Sequence, residues 1–390
     1  MQIVLLPNLR FRLQPVSFSA SSGEFIPTRL NMSLSQVVLR FNPNLDPKDS
    51  NGDRKEIRDA LSAIASVDKY LFLASDETTT IERLETEDGG KIFKDHKQFK
   101  LSDFVSLPNG DTEEIDIEGL DYDSNYLWVV GSHSLKRKEP KPKKTAEANI
   151  DRLSDVSSDR NRYFFARISM DEDRNLTQDS PSAKLKDSAN GNQLIEALGK
   201  DEHFQDFLKI PSKDNGIDFE GLAVNGSKVF IGLRGPVLRG WAAILELEVE
   251  VLDSGTKLEL KKIGSGDHPY RKHFLQLGGL GVRDLVVDNQ DLLILAGPTM
   301  DLDGPVEVFQ WKDAIVKTEE TLTWQSQENL FSLQLKIPYG WEEDHAEGIT
   351  FLSSESGERS LLVVYDSPSD ARKKLPVDHA VKADVLSLLH

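Results

Sequence analysis

The stretch IDIEGLDYDSNYLWVVGSH, from Ile115 to His133, decides the fold because the chain repeats it. It aligns without a gap with IDFEGLAVNGSKVFIGLRG, from Ile217 to Gly235. In both stretches a short strand follows Glu-Gly-Leu, a polar turn comes next, and a run of β-forming residues completes a hairpin. Short apolar runs bounded by turn signals are typical of buried strands. The sequence therefore predicts an all-β fold built from repeated hairpins.

Three further stretches follow the same pattern, namely Asp59 to Glu77, Leu280 to Pro298 and Asp344 to Ser367. The aligned positions are Ser62, Glu118, Glu220, Arg283 and Glu347, and the steps between them are 56, 102, 63 and 64 residues. A four-stranded blade with long loops needs about 40–50 residues, so each step fits one blade. Radial repetition of this kind is a β-propeller. We predict one propeller domain over residues 1–390 with five recognisable blades, and the first 50 residues could supply a sixth.

The longest step indicates an insertion at about residues 135–210. Its first part, residues 136–160, starts with the basic run KRKEPKPKK and is predicted to be a loop. Its second part, residues 192–208, has the apolar spacing of one or two short helices, with Gly199 as a break. Near the N-terminus, residues 33–41 alternate like a strand. We expect that strand to close the ring with the C-terminal blade, which would protect exposed sheet edges.

Composition excludes several kinds of site and partner. The chain has no cysteine, which rules out disulfides, thiolate zinc sites, iron–sulfur clusters and a catalytic thiol. Its 65 acidic residues against 47 basic ones give a net charge of −18, which makes a nucleic-acid partner unfavourable. No apolar stretch has the length of a signal peptide or a membrane span. We expect a cytoplasmic protein without a membrane partner.

The aligned strands predict stacked rings of side chains, because residues two apart on a strand point the same way. One ring is the set of aligned positions, and the ring two residues earlier holds Asp116, Asp218 and His345. The ends of the second strands add Arg234, with His133 next in line. If the first strands are innermost, these groups converge in the central channel. The candidate catalytic residues are Glu118, Glu220, Glu347, His345 and Arg283.

Two interpretations of the acidic ring stay open. Clustered carboxylates hold Ca²⁺ or another hard divalent cation, which would polarise a phosphoryl or carbonyl oxygen and activate water. Alternatively, each Glu of Glu-Gly-Leu bonds backbone amides of the next blade and repeats only because the blade repeats. The basic run begins three residues after His133, where it is either a solvated loop or an attractor of an anion. Candidate substrate-binding residues are therefore Arg234, Arg283, His133, Lys136 and Arg137.

Several strings of the chain resemble the bacterial family known as domain of unknown function 3616 over about residues 35 to 370. They are EEIDIEGLDYDSNYLWVVGSHSLKRKEPK (Glu113 to Lys141), NRYFFARI (Asn161 to Ile168), GIDFEGLAVNGSKVFIGLRGPVLRGWAAILEL (Gly216 to Leu247) and HAEGITFL (His345 to Leu352). The resemblance implies a propeller, and its Glu-Gly-Leu repeats are similar to those of phytase-like and esterase-like propellers.

That similarity implies a set of metal ligands and a set of phosphate contacts. The implied ligands of Ca²⁺ are Asp116, Glu118, Asp218, Glu220 and Glu347, and the implied phosphate contacts are Lys136, Arg137, Arg234 and Arg283. The first and third repeats depart from the pattern, with Ser62-Ala63 and Arg283-Asp284, which argues against a symmetric metal ring. Two functions follow: a metal-assisted hydrolase of a phosphorylated or ester small molecule, or a non-catalytic scaffold that binds a protein partner through the insertion.

Overall fold

A computed structural model of the chain describes residues 34–48, 54–300, 302–353 and 359–388. The fold is all-β, as predicted. The described residues form 26 strands and three short α-helices. After strand β1 (Leu34–Arg40), the strands fall into five successive antiparallel units. No helix in the part of the chain that the structure describes combines the length and apolar character needed to cross a membrane.

The first two units precede the third, and the insertion lies partly within the second unit, after its second strand, and partly between the second and third units. The first contains β2 (Leu61–Val67), β3 (Tyr70–Ser75), β4 (Thr80–Glu87) and β5 (Ile92–Lys100). The second contains β6 (Ile117–Asp123), β7 (Tyr126–Gly131), β10 (Phe165–Ser169) and β11 (Ala183–Leu185). The insertion contributes β8 (Lys136–Arg137), α1 (Ala146–Ser154), β9 (Val156–Ser157), β12 (Asp187–Ser188), β13 (Gly191–Asn192) and α2 (Gln193–Leu198).

The remaining three units follow the insertion. The third contains β14 (Asp218–Asn225), β15 (Lys228–Gly235), β16 (Ala242–Leu252), β17 (Lys257–Leu260) and β18 (Arg271–Leu275). The fourth contains β19 (Gly281–Asp288), β20 (Asp291–Gly297), β21 (Glu307–Trp311) and β23 (Leu330–Ser332), and the intervening β22 (Thr321–Thr323) pairs with β18 of the third unit. The fifth contains β24 (His345–Ser353), β25 (Arg359–Asp366), α3 (Asp370–Lys373) and β26 (Ala380–Ser387).

The first strands of the five units contact one another in a closed cycle, in the order β2, β6, β14, β19, β24 and back to β2. Five apolar cores fill the seams between neighbouring units. One core joins Ile64 of the first unit to Val364 of the fifth, and another joins Leu120 of the second unit to Ala63 of the first. Burial of apolar side chains between neighbouring sheets therefore stabilises the whole cycle.

The outer strands also connect the units. β5 pairs in parallel with β1, β11 with β17, and β18 with β22. β1 itself pairs antiparallel with β26, from Leu34 opposite Leu386 to Arg40 opposite Ala380. The N-terminal strand thus joins the sheet of the C-terminal unit, and the first and fifth units form one eight-stranded sheet.

The insertion contains more regular structure than the loop expected over residues 136–160. Within that range β8 pairs with β9, and helix α1 lies between them. The Thr145 side chain accepts a hydrogen bond from the Ala148 N–H, which caps the helix, and Ala146 and Ala148 are strong helix formers. Helix α2 begins after Asn192, whose side chain caps it. Its apolar face is buried, and a 3-10 turn at Gln205–Lys209 follows.

Candidate functional site

The same backbone irregularity occurs on all five first strands. The pairing register shifts between Leu61 and Ala63, Ile117 and Gly119, Phe219 and Leu222, Val282 and Asp284, and Ala346 and Gly348. A β-bulge leaves a residue unpaired in the ladder and redirects its side chain. The residues at these shifts are the predicted aligned positions Ser62, Glu118, Glu220, Arg283 and Glu347. The five aligned positions therefore share one backbone feature, a β-bulge, which the alignment did not reveal.

The glycine of Glu-Gly allows the first strands to approach closely. A Cβ atom on Gly119 would lie 2.7 Å from the Leu222 Cβ on β14, and one on Gly221 would lie 2.7 Å from the Asp284 Cα on β19. Real Cβ atoms almost never come this close to another heavy atom. The motif therefore combines a bulged acidic residue with a contact between neighbouring units.

Arginines neutralise most of the buried acids that meet at these bulges. Arg283 donates to both carboxylate oxygens of Glu347, at 2.6 Å for Oε2, and its Nη1 lies 3.5 Å from Oε2 of Glu220. Arg234 Nε lies 2.9 Å from Oε1 of Glu220, and Arg234 also pairs with Asp218. All five side chains are largely buried. The structure thus brings these five predicted residues together.

A third arginine, which the sequence reasoning missed, serves the second unit. Arg162 Nη1 lies 2.7 Å from Asp116 Oδ2 and also donates to Ser134 Oγ at 2.7 Å. It comes from the 3-10 turn Arg160–Tyr163 inside the insertion. Because that turn has no counterpart in the other repeats, the alignment could not place Arg162. We call Asp76, Asp116, Glu118, Asp218, Glu220, Glu347, Arg162, Arg234 and Arg283 the central charge cluster.

Two acids of the cluster have no cationic partner. Among the residues that the structure describes, neither Glu118 nor Asp76 makes an ion pair or hydrogen bond, and Oδ1 of Asp76 is buried. Burial raises the pKa of Glu118 well above its usual range, and repulsion from Asp116 and Glu220 adds to this. Burial likewise raises the pKa of Asp76, with Asp116 as the largest repelling charge. Burial raises the pKa of Glu220 to about 8, despite its arginines.

The predicted metal ligands are arranged differently from a metal site. Four of the five, Asp116, Asp218, Glu220 and Glu347, bind arginine, and only Glu118 does not. In the described residues no group of three or more His, Asp or Glu side chains is placed to hold a metal ion. The arginines supply the positive charge that a cation would otherwise bring. A hard cation here stays a prediction.

His345 lies beside the cluster, in a small open cleft that we call the His345 cleft. The lining residues are Arg283, Pro298, Leu302, Asp303, Gly304, Val306, Tyr339, Gly340, His345 and Ala346. His345 Nε2 lies 3.0 Å from Asp303 Oδ1, and Nδ1 lies 3.7 Å from Asp366 Oδ2. Asp366 and then Asp303 raise the pKa of His345. Asp303 was missed because it lies in a loop outside the repeated pattern.

His133 is packed in the core rather than facing the cluster. Its ring stacks on Phe219 with centroids 4.6 Å apart. Nδ1 lies 2.7 Å from the Gly131 carbonyl oxygen, and Nε2 lies 2.7 Å from the Asn192 amide nitrogen. Burial lowers the pKa of His133 to about 4. Its placement fits a neutral structural histidine that ties the insertion to the second and third units.

The basic run begins with residues that already have acidic partners. Lys136 Nζ lies 2.6 Å from Glu114 and 2.7 Å from Asp159. Arg137 pairs with Asp214 at 2.7 Å. Glu114 also lies 3.4 Å from Arg162, so Lys136 adjoins the central charge cluster through a shared carboxylate.

Aspartates, not the bulged glutamates, bind the backbone of the next unit. Asp121 Oδ2 accepts from the Val224 N–H at 2.6 Å, and Asp284 Oδ2 accepts from the Ile349 N–H at 2.7 Å. Burial raises the pKa of Asp121 to about 7 and that of Asp284 well above its usual range. One of the two interpretations left open by the sequence gave this role to the glutamates, but Glu220 and Glu347 instead meet the arginines. The two aspartates occupy different positions of the repeat, so no repeated signal marked them.

Comparison with known proteins places most of the chain in one family model. The model described as Protein of unknown function (DUF3616) matches residues 60–384, which agrees with the resemblance noted above. No curated protein matches the chain.

Solved structures similar to the chain differ widely in sequence. A glutaminyl cyclase from Myxococcus xanthus has 10% identity and a TM-score of 0.37, with 91% of this chain and 98% of that chain covered. A GH43 β-1,3-galactosidase has 9% identity and a TM-score of 0.38, with 89% and 59% covered. The Dos1 propeller has 8% identity and a TM-score of 0.28, with 87% and 72% covered. At such scores these likenesses carry no argument about activity.

Proposed function

The chain belongs to the family Protein of unknown function (DUF3616). From its central charge cluster we propose that it is a five-bladed β-propeller hydrolase that cleaves an ester bond of a small molecule. The observation that carries this proposal is the pair of Glu118 and Asp76, two carboxyl groups of raised pKa without a cationic partner. The other acids of the cluster have arginine partners or lie beside one.

The five-bladed arrangement is supported by the closed cycle of five first strands. Each seam between neighbouring units has its own apolar core, and the units contribute similar hairpins. A radial array of this kind leaves only short edges exposed. In this proposal the bulged residues face the central channel, and the insertion lies on the second blade.

The cluster suits acid–base hydrolysis. Two carboxyl groups that repel each other in a buried site titrate at separate pH values, so one is protonated while the other is ionised. In the proposed reaction, water attacks the ester carbonyl carbon and loses a proton to the ionised carboxylate. The protonated carboxyl of Glu118 donates its proton to the leaving alkoxide, and an alcohol and a carboxylic acid result. N–H groups of Arg283 and Arg234 would stabilise the oxyanion that forms on the way.

The charge balance favours a carboxylic ester over a phosphorylated substrate. Six carboxyl groups of the cluster face three arginines, which are already paired with acids. A phosphate dianion would add to this excess of negative charge. Ca²⁺ or another hard cation could balance it, but the described residues do not form a metal-binding group, so the proposed steps require none.

The test compares turnover of p-nitrophenyl acetate, p-nitrophenyl butyrate and p-nitrophenyl phosphate. We expect carboxylic ester cleavage that EDTA does not abolish and that Glu118→Gln lowers by about 10²-fold or more in kcat. Glu250→Gln, which changes an exposed glutamate of β16, is the matched control. Equal rates in Glu118→Gln and the wild type would contradict the assignment. Cleavage of the phosphate ester alone, restored by Ca²⁺ after EDTA treatment, would instead support the metal-assisted alternative.

A second candidate function, a protein-binding scaffold, is favoured by the arm formed by β8, α1 and β9. Helix α1 buries no residue, and Ile150 is 67% exposed. The loop before it carries Lys141, Lys143 and Lys144, which are also exposed. An apolar stripe beside exposed lysines suits an acidic protein partner.

Its test replaces residues 139–154 by a short Gly-Ser linker and compares pull-downs from a cell extract with those of the wild type and of Glu118→Gln. The scaffold function predicts that the arm replacement loses a protein that both other forms retain, while the melting temperature changes little. Retention of every bound protein by the replaced form would exclude the arm as the docking element.

A further inference from the structure

The His345 cleft has apolar walls and a polar floor. Pro298, Leu302, Val306 and Tyr339 form much of the wall, whereas Arg283, Asp303 and His345 bring the polar groups. Arg283 belongs both to this cleft and to the central charge cluster, so a ligand in the cleft would adjoin the proposed hydrolytic groups. A concave site with apolar walls and a few convergent polar groups is typical of small-molecule binding.

The floor offers hydrogen-bond donors and acceptors together. Arg283 is only 7% exposed, and its Nε–H has no acceptor among the described residues. Asp303 offers carboxylate oxygens beside His345, whose ring lies between Asp303 and Asp366. A hydroxyl group both donates and accepts hydrogen bonds, so it can satisfy an arginine and a carboxylate at one site.

An anionic ligand fits this floor less well. Each cation near the cleft already faces a carboxylate: Arg283 pairs with Glu347, and His345 lies between two aspartates. A phosphate or carboxylate group would therefore approach three carboxylates against two cations. A neutral ligand avoids that repulsion.

The rim of the cleft carries an exposed aromatic side chain. Tyr339 is 51% exposed and lines the cleft. Leu302 on the opposite loop is 56% exposed. Large exposed apolar groups around a concavity mark a binding surface, and flat rings present an apolar face with a polar edge. Such a rim can cover the C–H face of a saturated ring whose hydroxyl groups point to the floor.

We propose that the His345 cleft binds a neutral polyhydroxylated ring, such as a sugar or a cyclitol. This inference rests on the proposed function, because it makes the ester substrate a derivative of such a ring. Tyr339 contacts the face of the ring, and Asp303 and Arg283 bind its hydroxyl groups. The cleft thus sets the class of alcohol that the hydrolase releases.

The test measures binding by calorimetry with methyl β-D-glucopyranoside, methyl β-D-galactopyranoside, myo-inositol and glucose 6-phosphate as probes, at up to about 10 mM. At least one neutral probe should bind, and glucose 6-phosphate should bind more weakly than glucose derivatives without the phosphate. Tyr339→Ala and Asp303→Asn should each weaken binding by about tenfold or more. Trp324→Ala, which removes an exposed tryptophan just after β22, is the control and should leave affinity unchanged.

Three results would overturn the inference: no binding of any neutral probe, tighter binding of glucose 6-phosphate, or unchanged affinity in Tyr339→Ala. Calorimetry needs no turnover, so this test is separate from that of the hydrolase. Sugar binding without ester cleavage would support the proposed ligand of the cleft and contradict the proposed hydrolysis. Ester cleavage without sugar binding would support the hydrolysis and contradict only the proposed ligand class.

Discussion

Arg283 and Glu347 come from β-bulges on neighbouring first strands, and the guanidinium of Arg283 donates hydrogen bonds to both oxygens of the Glu347 carboxylate. Both side chains are largely buried. The pair therefore links the fourth unit to the fifth by charge at the point where the backbone ladders are interrupted. Its energetic role depends on keeping both partners, because an isolated buried charge is costly.

We predict that Arg283→Met destabilises the protein by about 3–5 kcal/mol, since it leaves Glu347 buried without its main cation. The double substitution Arg283→Met with Glu347→Gln should recover much of that loss, because it removes the uncompensated charge. Chemical denaturation of Arg283→Met, Glu347→Gln and the double variant measures the coupling as a double-mutant cycle. Lys257→Met, which breaks the exposed pair of Lys257 and Asp253, should leave the unfolding free energy almost unchanged. Additive losses at Arg283 and Glu347 would contradict the coupling.

The central charge cluster should also make stability fall at high pH. Glu118 and Glu220 have folded-state pKa values above the usual range, with that of Glu220 at about 8. The folded state then binds more protons than the unfolded state. The stabilisation is complete below the unfolded pKa of about 4.3 and is lost as pH rises through the folded pKa. Each such group contributes a slope of up to about 1.4 kcal/mol per pH unit.

Glu118→Gln should therefore lessen the loss of unfolding free energy with rising pH and should stabilise the protein relative to the wild type at the alkaline end, as compared from pH 7 to pH 9. Protonation of His133 does not contribute in this range. Its folded-state pKa of about 4 makes stability fall only as pH drops below its unfolded pKa of about 6.5. Melting temperatures across the pH range measure the effect, with Glu250→Gln as the exposed control. A Glu118→Gln curve parallel to that of the wild type would show that Glu118 ionises normally.

The sequence predicted the repeated unit because the hairpin pattern depends on local spacing. Glu-Gly-Leu, the polar turn and the following strand recur at regular steps, and the aligned positions do coincide with the five bulges. It could not predict how their charges are balanced. Arg162 comes from a turn unique to the insertion, and Asp303 comes from a loop outside the repeats. Residues that become partners only through tertiary contacts do not recur with the period of the repeat, so the alignment cannot identify them.

His133 shows the same limit. Strand continuation placed it in the predicted central channel, but the backbone of His133 has a positive φ of 55°. Its ring consequently packs on Phe219, away from the arginine–carboxylate pairs. Strand alternation cannot predict the direction of a side chain beyond a residue at which the backbone changes direction.

The close approach of the first strands gives a prediction at Gly119. Gly119→Ala should destabilise the protein by about 1–3 kcal/mol or more, because the new methyl group would lie 2.7 Å from the Leu222 Cβ and 2.8 Å from a Val130 methyl group. Gly199→Ala is the matched control, since its nearest neighbour would lie at 3.4 Å and its φ of −65° suits any residue. Denaturation midpoints of the two variants test this, and equal stability would mean that the strands can separate freely.

The hydrogen bond from the Ile349 N–H to Asp284 gives the last prediction. Asp284 is 2% exposed, and its carboxyl accepts from Ile349 at 2.7 Å and from the Leu285 N–H at 2.7 Å. Asp284→Ala leaves both amides buried without acceptors, so we expect a loss of about 2–4 kcal/mol. Asp284→Asn keeps an acceptor oxygen for one of the two amides but turns its NH₂ group toward the other, so it should cost less than Asp284→Ala without restoring full stability. Asp206→Ala, at an exposed site, should change stability by less than about 0.5 kcal/mol. If Asn and Ala at position 284 proved equally destabilising, an acceptor for one amide alone would have no value, and both carboxyl oxygens would be required.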